Sequence, residues 1–311
     1  MLVARVGLRA QTKAYKKPCD RTNTLQSYCQ NPSAVSQPLR MGSIQRRFDQ
    51  LQWPQAQEAA QRPGATLVWP FGALEQHGPH LPLATDALFA DRILDAVLTK
   101  LDPGLPIWRL PTQAVGFSPE HLDFPGTLSL PPQILINTIE SLGSQIADQG
   151  FRRLVLFNAH GGQIALLQVA ARQLRSLRPQ LAVLPCFLWS GVAGLEAWIP
   201  GEELATGLHA GMAETSLMLH LNQEAVGPER PHDGIHRGNR PATPPQGWSL
   251  ENAAPTAWLT ADLSSSGVIG DSRNASAACG QALHSRLVEH WVELLSNLMA
   301  SSWPPTSSLR D

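Results

Sequence analysis

Between Val68 and Asp86 the sequence reads VWPFGALEQHGPHLPLATD. Glu75, His77, His80 and Asp86 are all potential ligands for a divalent metal, since neutral imidazole and carboxylate suit Zn, Mn or Fe. Two more segments carry the same residue types: Asn158-Ala-His-Gly-Gly with His160, and His209-Ala-Gly-Met-Ala-Glu with Glu214. Gly116-Phe-Ser-Pro-Glu-His adds Glu120 and His121. Acids and imidazoles gathered around metal ions can activate water for hydrolysis. Each segment alone also has a plain structural reading. The Glu-x-His can be chance in a polar loop, and Asp86 can be a helix N-cap. His160 can be a hydrogen-bonded loop histidine. Glu214 lies five residues after His209 and can occupy a solvated helix position. Gly161-Gly162 could form a phosphate turn, but no P-loop lysine and no spaced dinucleotide fingerprint accompanies it.

The elements that must position these groups follow from hydrophobic patterning. Residues 45–62 read as helical, and Pro63-Gly64 turns the chain. A β-prone strand over 65–70 ends at Pro70 and Gly72, so the first ligand-bearing segment hangs from its end as a loop. A helix is expected from Ala87 to Leu101, with Asp86 at or near its N-cap. A second strand, Pro106 to Leu110, runs into the loop holding Glu120 and His121. Pro131 to Gln149 is a helix stopped by Gly150. Arg153 to Phe157 is an almost wholly apolar strand, as expected when both faces are covered, and Asn158–Gln163 is the turn before the next helix. Gln180 to Trp189 gives another strand. Residues 190–208 look irregular, a helix opens near His209 and continues through Leu221, and 222–266 is rich in Pro, Gly and Asn. The last helix is expected over Ala275–Ala300. Alternating strands and helices imply a single α/β domain, with a mostly parallel sheet flanked by helices on both faces. In such sheets ligands bind beyond the carboxyl ends of the strands, where all the loaded loops can meet.

Taken together, Glu75-Gln-His-Gly-Pro-His-Leu-Pro-Leu, Thr85-Asp86, Asn158-Ala-His-Gly-Gly and His209-Ala-Gly-x-x-Glu-Thr-Ser occur in the order of the creatininase (creatinine amidohydrolase) family, which the sequence resembles over roughly residues 65–290. Phe124-Pro-Gly-Thr and Gly267-Val-Ile-Gly-Asp271 are similar to secondary motifs of that family. The resemblance implies an α/β fold with two divalent metal ions per chain (Zn, Mn or Fe), hydrolysing a non-peptide C–N bond in a homo-oligomer, a hexamer. Carried over by motif, Glu75, His77, Asp86 and His160 match metal ligands, with Asp86 bridging. Creatininase itself has a Glu two residues after the third-strand His; here that position is Gly162. The resemblance implies that Glu214 supplies the missing carboxylate, and the departure argues against creatinine itself as substrate. His209 matches the family's active-site histidine and is the candidate general acid. Glu120 and His121 stand in reserve as proton donors. His80 and His121 are otherwise expected in supporting roles.

The net charge of −1 hides an asymmetry. Residues 1–40 hold seven Lys/Arg and one acid, so the remaining chain carries −7. The body therefore has no general attraction for nucleic acid or an anionic membrane. No apolar run approaches the roughly 18 residues of a spanning helix. Four cysteines are too few for a disulfide scaffold in 311 residues, which fits a reducing, cytoplasmic setting. Residues 1–40 read as an extension outside the fold: a disordered tail, a targeting segment, or sequence upstream of a start at Met41. The domain is expected over 41–300, with 301–311 a tail. The reading is therefore a metal-dependent amidohydrolase acting on a small-molecule cyclic amide or formamide. The alternatives are a non-catalytic oligomeric binding protein that keeps the fold, or a metallophosphatase, which would need a basic phosphate clamp.

Overall fold

A computed structural model describes residues 45–234, 244–251 and 254–305. The expectations for residues 1–40 and for the end of the tail lie outside the described residues, as does part of 222–266. Four strands form one parallel sheet in the order β2 (Ile107–Arg109), β1 (Thr66–Phe71), β3 (Arg153–Asn158), β4 (Ala182–Phe187). Helices α2 (Thr85–Lys100), α3 (Pro132–Asp148) and α4 (Ile164–Leu177) make the crossovers between consecutive strands. This is the α/β architecture expected from the alternation of elements.

Side-chain alternation along the strands sorts the core into two layers. On one face Val68 of β1 and Val155 and Phe157 of β3 pack with Phe89, Ile93, Leu94 and Val97 of α2 and with Leu287, Val288 and Trp291 of the long helix α8 (Ala277–Ala300). On the other face Leu67, Trp69, Phe71, Leu154 and Leu156 meet Leu135 and Ile139 of α3 and Leu167 and Leu174 of α4. Both central strands are buried along their whole length. Numbering in chain order, the remaining helices are α1 (Trp53–Gln61), α5 (Gly201–Thr206), α6 (Met212–Leu221) and α7 (Thr260–Leu263). A separate antiparallel pair joins β5 (His232–Asp233) to β6 (Gly270–Asp271).

Several sequence boundaries shift. The helix expected over 45–62 is a short 3₁₀ turn at Phe48–Gln50 followed by α1, because Pro54 sits in the first turn and starts a new helix there. Helix α2 begins at Thr85 with Ala84 as its N-cap, so Asp86 lies inside the first turn and does not cap it. The stretch 190–208, read as irregular, contains α5. Helix α8 starts at Ala277, where the Ser276 hydroxyl accepts a hydrogen bond from the Cys279 amide at 3.1 Å. Among the described residues no helix is long and apolar enough to cross a membrane.

The register sets the site. Phe71 of β1 is level with Asn158 of β3, so the loops leaving both strands begin side by side. The Ala159 amide donates to the Phe71 carbonyl at 2.9 Å, extending that pairing into the loops. Gly72 lies against the start of α2: a Cβ there would overlap the Ala87 backbone. This close approach brings the first turn of α2, with Asp86, over the end of β1.

Candidate metal centre

The Asn158 side chain locks the turn after β3. Its Nδ2 donates to the His160 carbonyl at 2.7 Å, and its Oδ1 accepts from the His160 amide at 2.9 Å. Gln163 ties the same turn to the first loop, donating to the Gly72 carbonyl at 3.1 Å and to Asn158 Oδ1 at 2.9 Å. The first loop is closed by the Glu75 amide on the Leu83 carbonyl at 3.0 Å. Helix α6 is entered through Ala210, which has a positive φ of 53°. That conformation is unfavourable for a residue with a Cβ. It is held by helix side chains: Glu214 Oε2 accepts from the Ala210 amide at 2.6 Å, and the Thr215 hydroxyl donates to the Ala210 carbonyl at 3.2 Å.

These elements bring the five expected ligands together. Ligand atoms of Glu75, Asp86 and His160 lie within 4.8 Å of one another, and so do those of His77, Asp86 and Glu214. Asp86 belongs to both groups. Its Oδ1 is 3.4 Å from His77 Nε2 and its Oδ2 is 3.2 Å from His160 Nδ1. Glu75 Oε1 faces four imidazoles: His160 Nδ1 at 3.2 Å, His121 Nε2 at 3.5 Å, His209 Nδ1 at 3.8 Å and His77 Nε2 at 3.9 Å.

Three histidines have one ring nitrogen committed to a backbone carbonyl and the other turned toward the carboxylates. His77 Nδ1 donates to the Glu75 carbonyl at 3.1 Å, His160 Nε2 to the Phe117 carbonyl at 3.0 Å, and His209 Nε2 to the Gln76 carbonyl at 2.7 Å. This is how proteins orient a metal-binding imidazole. His80 points elsewhere, with Nε2 2.8 Å from the Thr215 hydroxyl. His121 has its Nδ1 held by the Gln76 side-chain amide at 2.9 Å and the Thr260 hydroxyl at 2.7 Å.

The donor set suits cations. Glu75 Oε2, His77 Nε2 and Asp86 Oδ2 are buried without a hydrogen-bond partner. Uncompensated buried polar atoms are costly, and a pair of divalent ions would satisfy all three. Proton affinities carry the same imprint. Burial alone would lower His77, but Asp86 and the other carboxylates raise it to about 9. Burial likewise opposes the charged form of His160, and Glu75 and Asp86 hold it well above its ordinary value. Burial works against the Asp86 carboxylate too, yet the imidazoles keep its pKa far below the usual range. Burial pushes Glu214 up to about 7 and raises Glu120. It drives His209 well below its ordinary value and His121 to about 4.

Comparison with known proteins assigns the architecture to one group. The Creatininase family (creatinine amidohydrolase) matches residues 49–295, from before α1 into α8. The chain belongs to the creatininase family. A mycofactocin precursor peptide peptidase of Mycobacterium ulcerans (strain Agy99) is 33% identical over 253 residues, covering 77% of this chain and 86% of that protein. The creatinine amidohydrolase of Pseudomonas putida is 28% identical over 271 residues, 83% of this chain and 97% of that protein. A manganese creatininase structure shares the fold with a TM-score of 0.66 at 23% identity, covering 83% of this chain and all of its own. A mutant creatininase of Zn–Zn type superposes equally well. The fold is thus that of the creatininases, and this chain carries a candidate metal-binding cluster.

Sequence reading did not foresee the part played by Gln76. Its carbonyl fixes His209, and its side chain donates to His121 and, at 3.0 Å, to the Gly267 carbonyl. The one available signal was its place between two ligand residues. Nor did the sequence show how the loop before Phe124 supports the site: Phe117 and Ser118 back His160, with Ser118 Oγ 3.3 Å from its Nε2.

Proposed function

We propose that this protein is a metal-dependent amidohydrolase that breaks an amide C–N bond with activated water, using two divalent cations (Zn, Mn or Fe). The observation that carries this reading is the sharing of Asp86 between two donor groups, in which Asp86, Glu75 and His77 each have a buried atom without a hydrogen-bond partner. Glu75, Asp86 and His160 would hold one cation, and His77, Asp86 and Glu214 the other. When bound, such ions lower the pKa of water toward about 7 and polarise the carbonyl under attack.

The chain's own residues supply the proton handling. His209 is neutral, and its Nε2–H is committed to Gln76, so Nδ1 is the atom available to take a proton. It would accept the proton of the attacking water and deliver it to the departing nitrogen, as a general acid for that second step. The rings of His77 and His121 lie against it, with centroids at 4.3 Å and 4.1 Å, and fix its plane. A leaving amine without a proton is a poor leaving group, so losing this relay slows turnover while leaving the cations in place.

The substrate class proposed first is a small cyclic amide or a formamide. A second reading is an amide within a peptide, favoured by relatives such as the Mycobacterium ulcerans peptidase at 33% identity. Among the described residues, the ion pairs of Glu75, Asp86 and Glu120 are all with imidazoles, which offers no basic clamp of the kind a metallophosphatase would use. A binding protein released from chemistry has no physical need for this buried set of acids. The proposal includes a reducing cytoplasmic setting and a homo-oligomer, specifically a hexamer; sedimentation showing only monomer at micromolar concentration would contradict the assembly. The decisive assay loads the protein with Zn, Mn or Fe and tests cyclic amides, formamides, short peptides and phosphate esters. Turnover of an amide class supports the reading. Turnover of phosphate esters alone, or of nothing with full metal content, contradicts it.

A further inference from the structure

Gly162 has no side chain, yet the space beside it is filled. An ideal Cβ on Gly162 would collide with Glu120 Oε1 and would come within 2.7 Å of His160 Nε2. Glu120 belongs to a different part of the chain, the turn Pro119–His121 that follows β2. Its side chain is only 12% exposed, and Oε1 lies 3.5 Å from His160 Nε2 and 4.0 Å from His121 Nε2. Ligand atoms of Glu120, Glu75 and His121 come within 4.8 Å of one another. The neighbouring Gly161 is different: nothing lies within 4 Å of a Cβ built there. The lack of a side chain at 162 is therefore matched to a particular occupant.

We propose that Glu120 is a positioning residue of the metal centre, whose carboxylate takes the volume that a side chain at residue 162 would otherwise fill. The proposal rests on the two-cation reading above. Its action is on His160. The ring Nε2–H is held by the Phe117 carbonyl at 3.0 Å, with Ser118 Oγ at 3.3 Å and Glu120 Oε1 at 3.5 Å on the same side. A carboxylate behind a metal-binding imidazole fixes its tautomer and increases its basicity, and losing it typically weakens metal binding about 10–100-fold. Glu120 also places a carboxyl group next to the donor group of Glu75, Asp86 and His160. Side chains at positions 162 and 120 therefore compete for one volume, which can be filled from the turn after β3 or from the turn after β2 but not from both, while Glu214 remains the carboxylate of the second donor group.

The test is a zinc titration against a competing chelator, on purified full-length protein, with unfolding midpoints recorded in parallel. Wild type, E120A, E120Q, G162A and the exchange variant E120A/G162E are compared. E120A is expected to weaken the tighter-held zinc roughly 10–100-fold. G162A removes no acid, but its methyl group displaces the Glu120 carboxylate, so affinity should fall in the same direction. The exchange variant should recover most of the affinity lost in E120A, and E120Q, which keeps the volume but not the charge, should bind as weakly as E120A, whereas a merely space-filling role for Glu120 would leave E120Q at wild-type affinity. Wild-type affinity in E120A or in G162A overturns the proposal, as does an exchange variant that folds and binds no better than E120A. Wild type binding no zinc at all would instead contradict the two-cation reading.

Discussion

His209 Nε2 donates a 2.7 Å hydrogen bond to the carbonyl oxygen of Gln76. The bond fixes the tautomer of a buried, neutral imidazole and turns Nδ1 toward Glu75, 3.8 Å away. His77 and His160 are oriented by the same device but stand closer to their carboxylates, with contacts of 3.4 Å and 3.2 Å to Asp86. If His209 carries protons, His209→Asn should keep both cations while turnover falls by roughly 10²–10⁴. Metal analysis and steady-state rates on one preparation decide it. Loss of a cation would move His209 among the ligands and leave Glu120 and His121 as the remaining proton donors.

The metal-free protein should lose stability as the solution becomes alkaline. His77 is raised from 6.5 to about 9 in the folded state, so the folded protein binds its proton more tightly than the unfolded chain. That contribution is fully present below pH about 6.5 and is lost as pH rises through 9. Glu214, raised from 4.5 to about 7, acts in the same direction at lower pH. Unfolding midpoints of chelated protein should therefore fall between pH 6.5 and 9. Cation affinity should rise over that range, because binding displaces the His77 proton. A midpoint that climbs with pH in the chelated protein would contradict the charge balance described.

Gly280 of α8 sits against α6, where a Cβ would overlap the Ser216 carbonyl. Gly280→Ala gains helix propensity but forces the two helices apart, and overpacking of this kind costs about 1–3 kcal/mol. Denaturant unfolding should show a net loss of stability. An unchanged or raised midpoint would mean the contact yields easily.

Much of this could be read from residue order. The strands β1 and β3, the ligand-bearing loops at their ends and the helices between them follow from apolar runs broken by Gly and Pro. Glu75, His77, Asp86 and His160 could be singled out because their types recur at the edges of those elements, whereas Glu214 entered only through the resemblance to the family; the structure brings all five together. Asp86 was less so: a carboxylate near a helix start reads equally as a cap, and only the position of Ala84 as N-cap separates the two. Glu120 was harder still. Its closeness to Gly162 depends on the loop after β2 crossing to the turn after β3, a long-range packing relation that leaves no periodicity. The order of strands in the sheet and the β5–β6 pair were hidden for the same reason.

The central claim is that Asp86 joins two cations. Asn at this position keeps the shape of the side chain, and Asp86 does not cap α2, so the helix itself should lose little; an acid in a first turn is worth about 0.3–1 kcal/mol. A neutral amide cannot hold two divalent ions as a carboxylate does. The most direct measurement is the number of metal ions per chain in Asp86→Asn, by elemental analysis after exhaustive loading with zinc and removal of free metal. The account predicts wild type with two and the variant with at most one, accompanied by loss of hydrolysis. A variant that retains two ions per chain would contradict the bridging role of Asp86, and with it the two-cation reading.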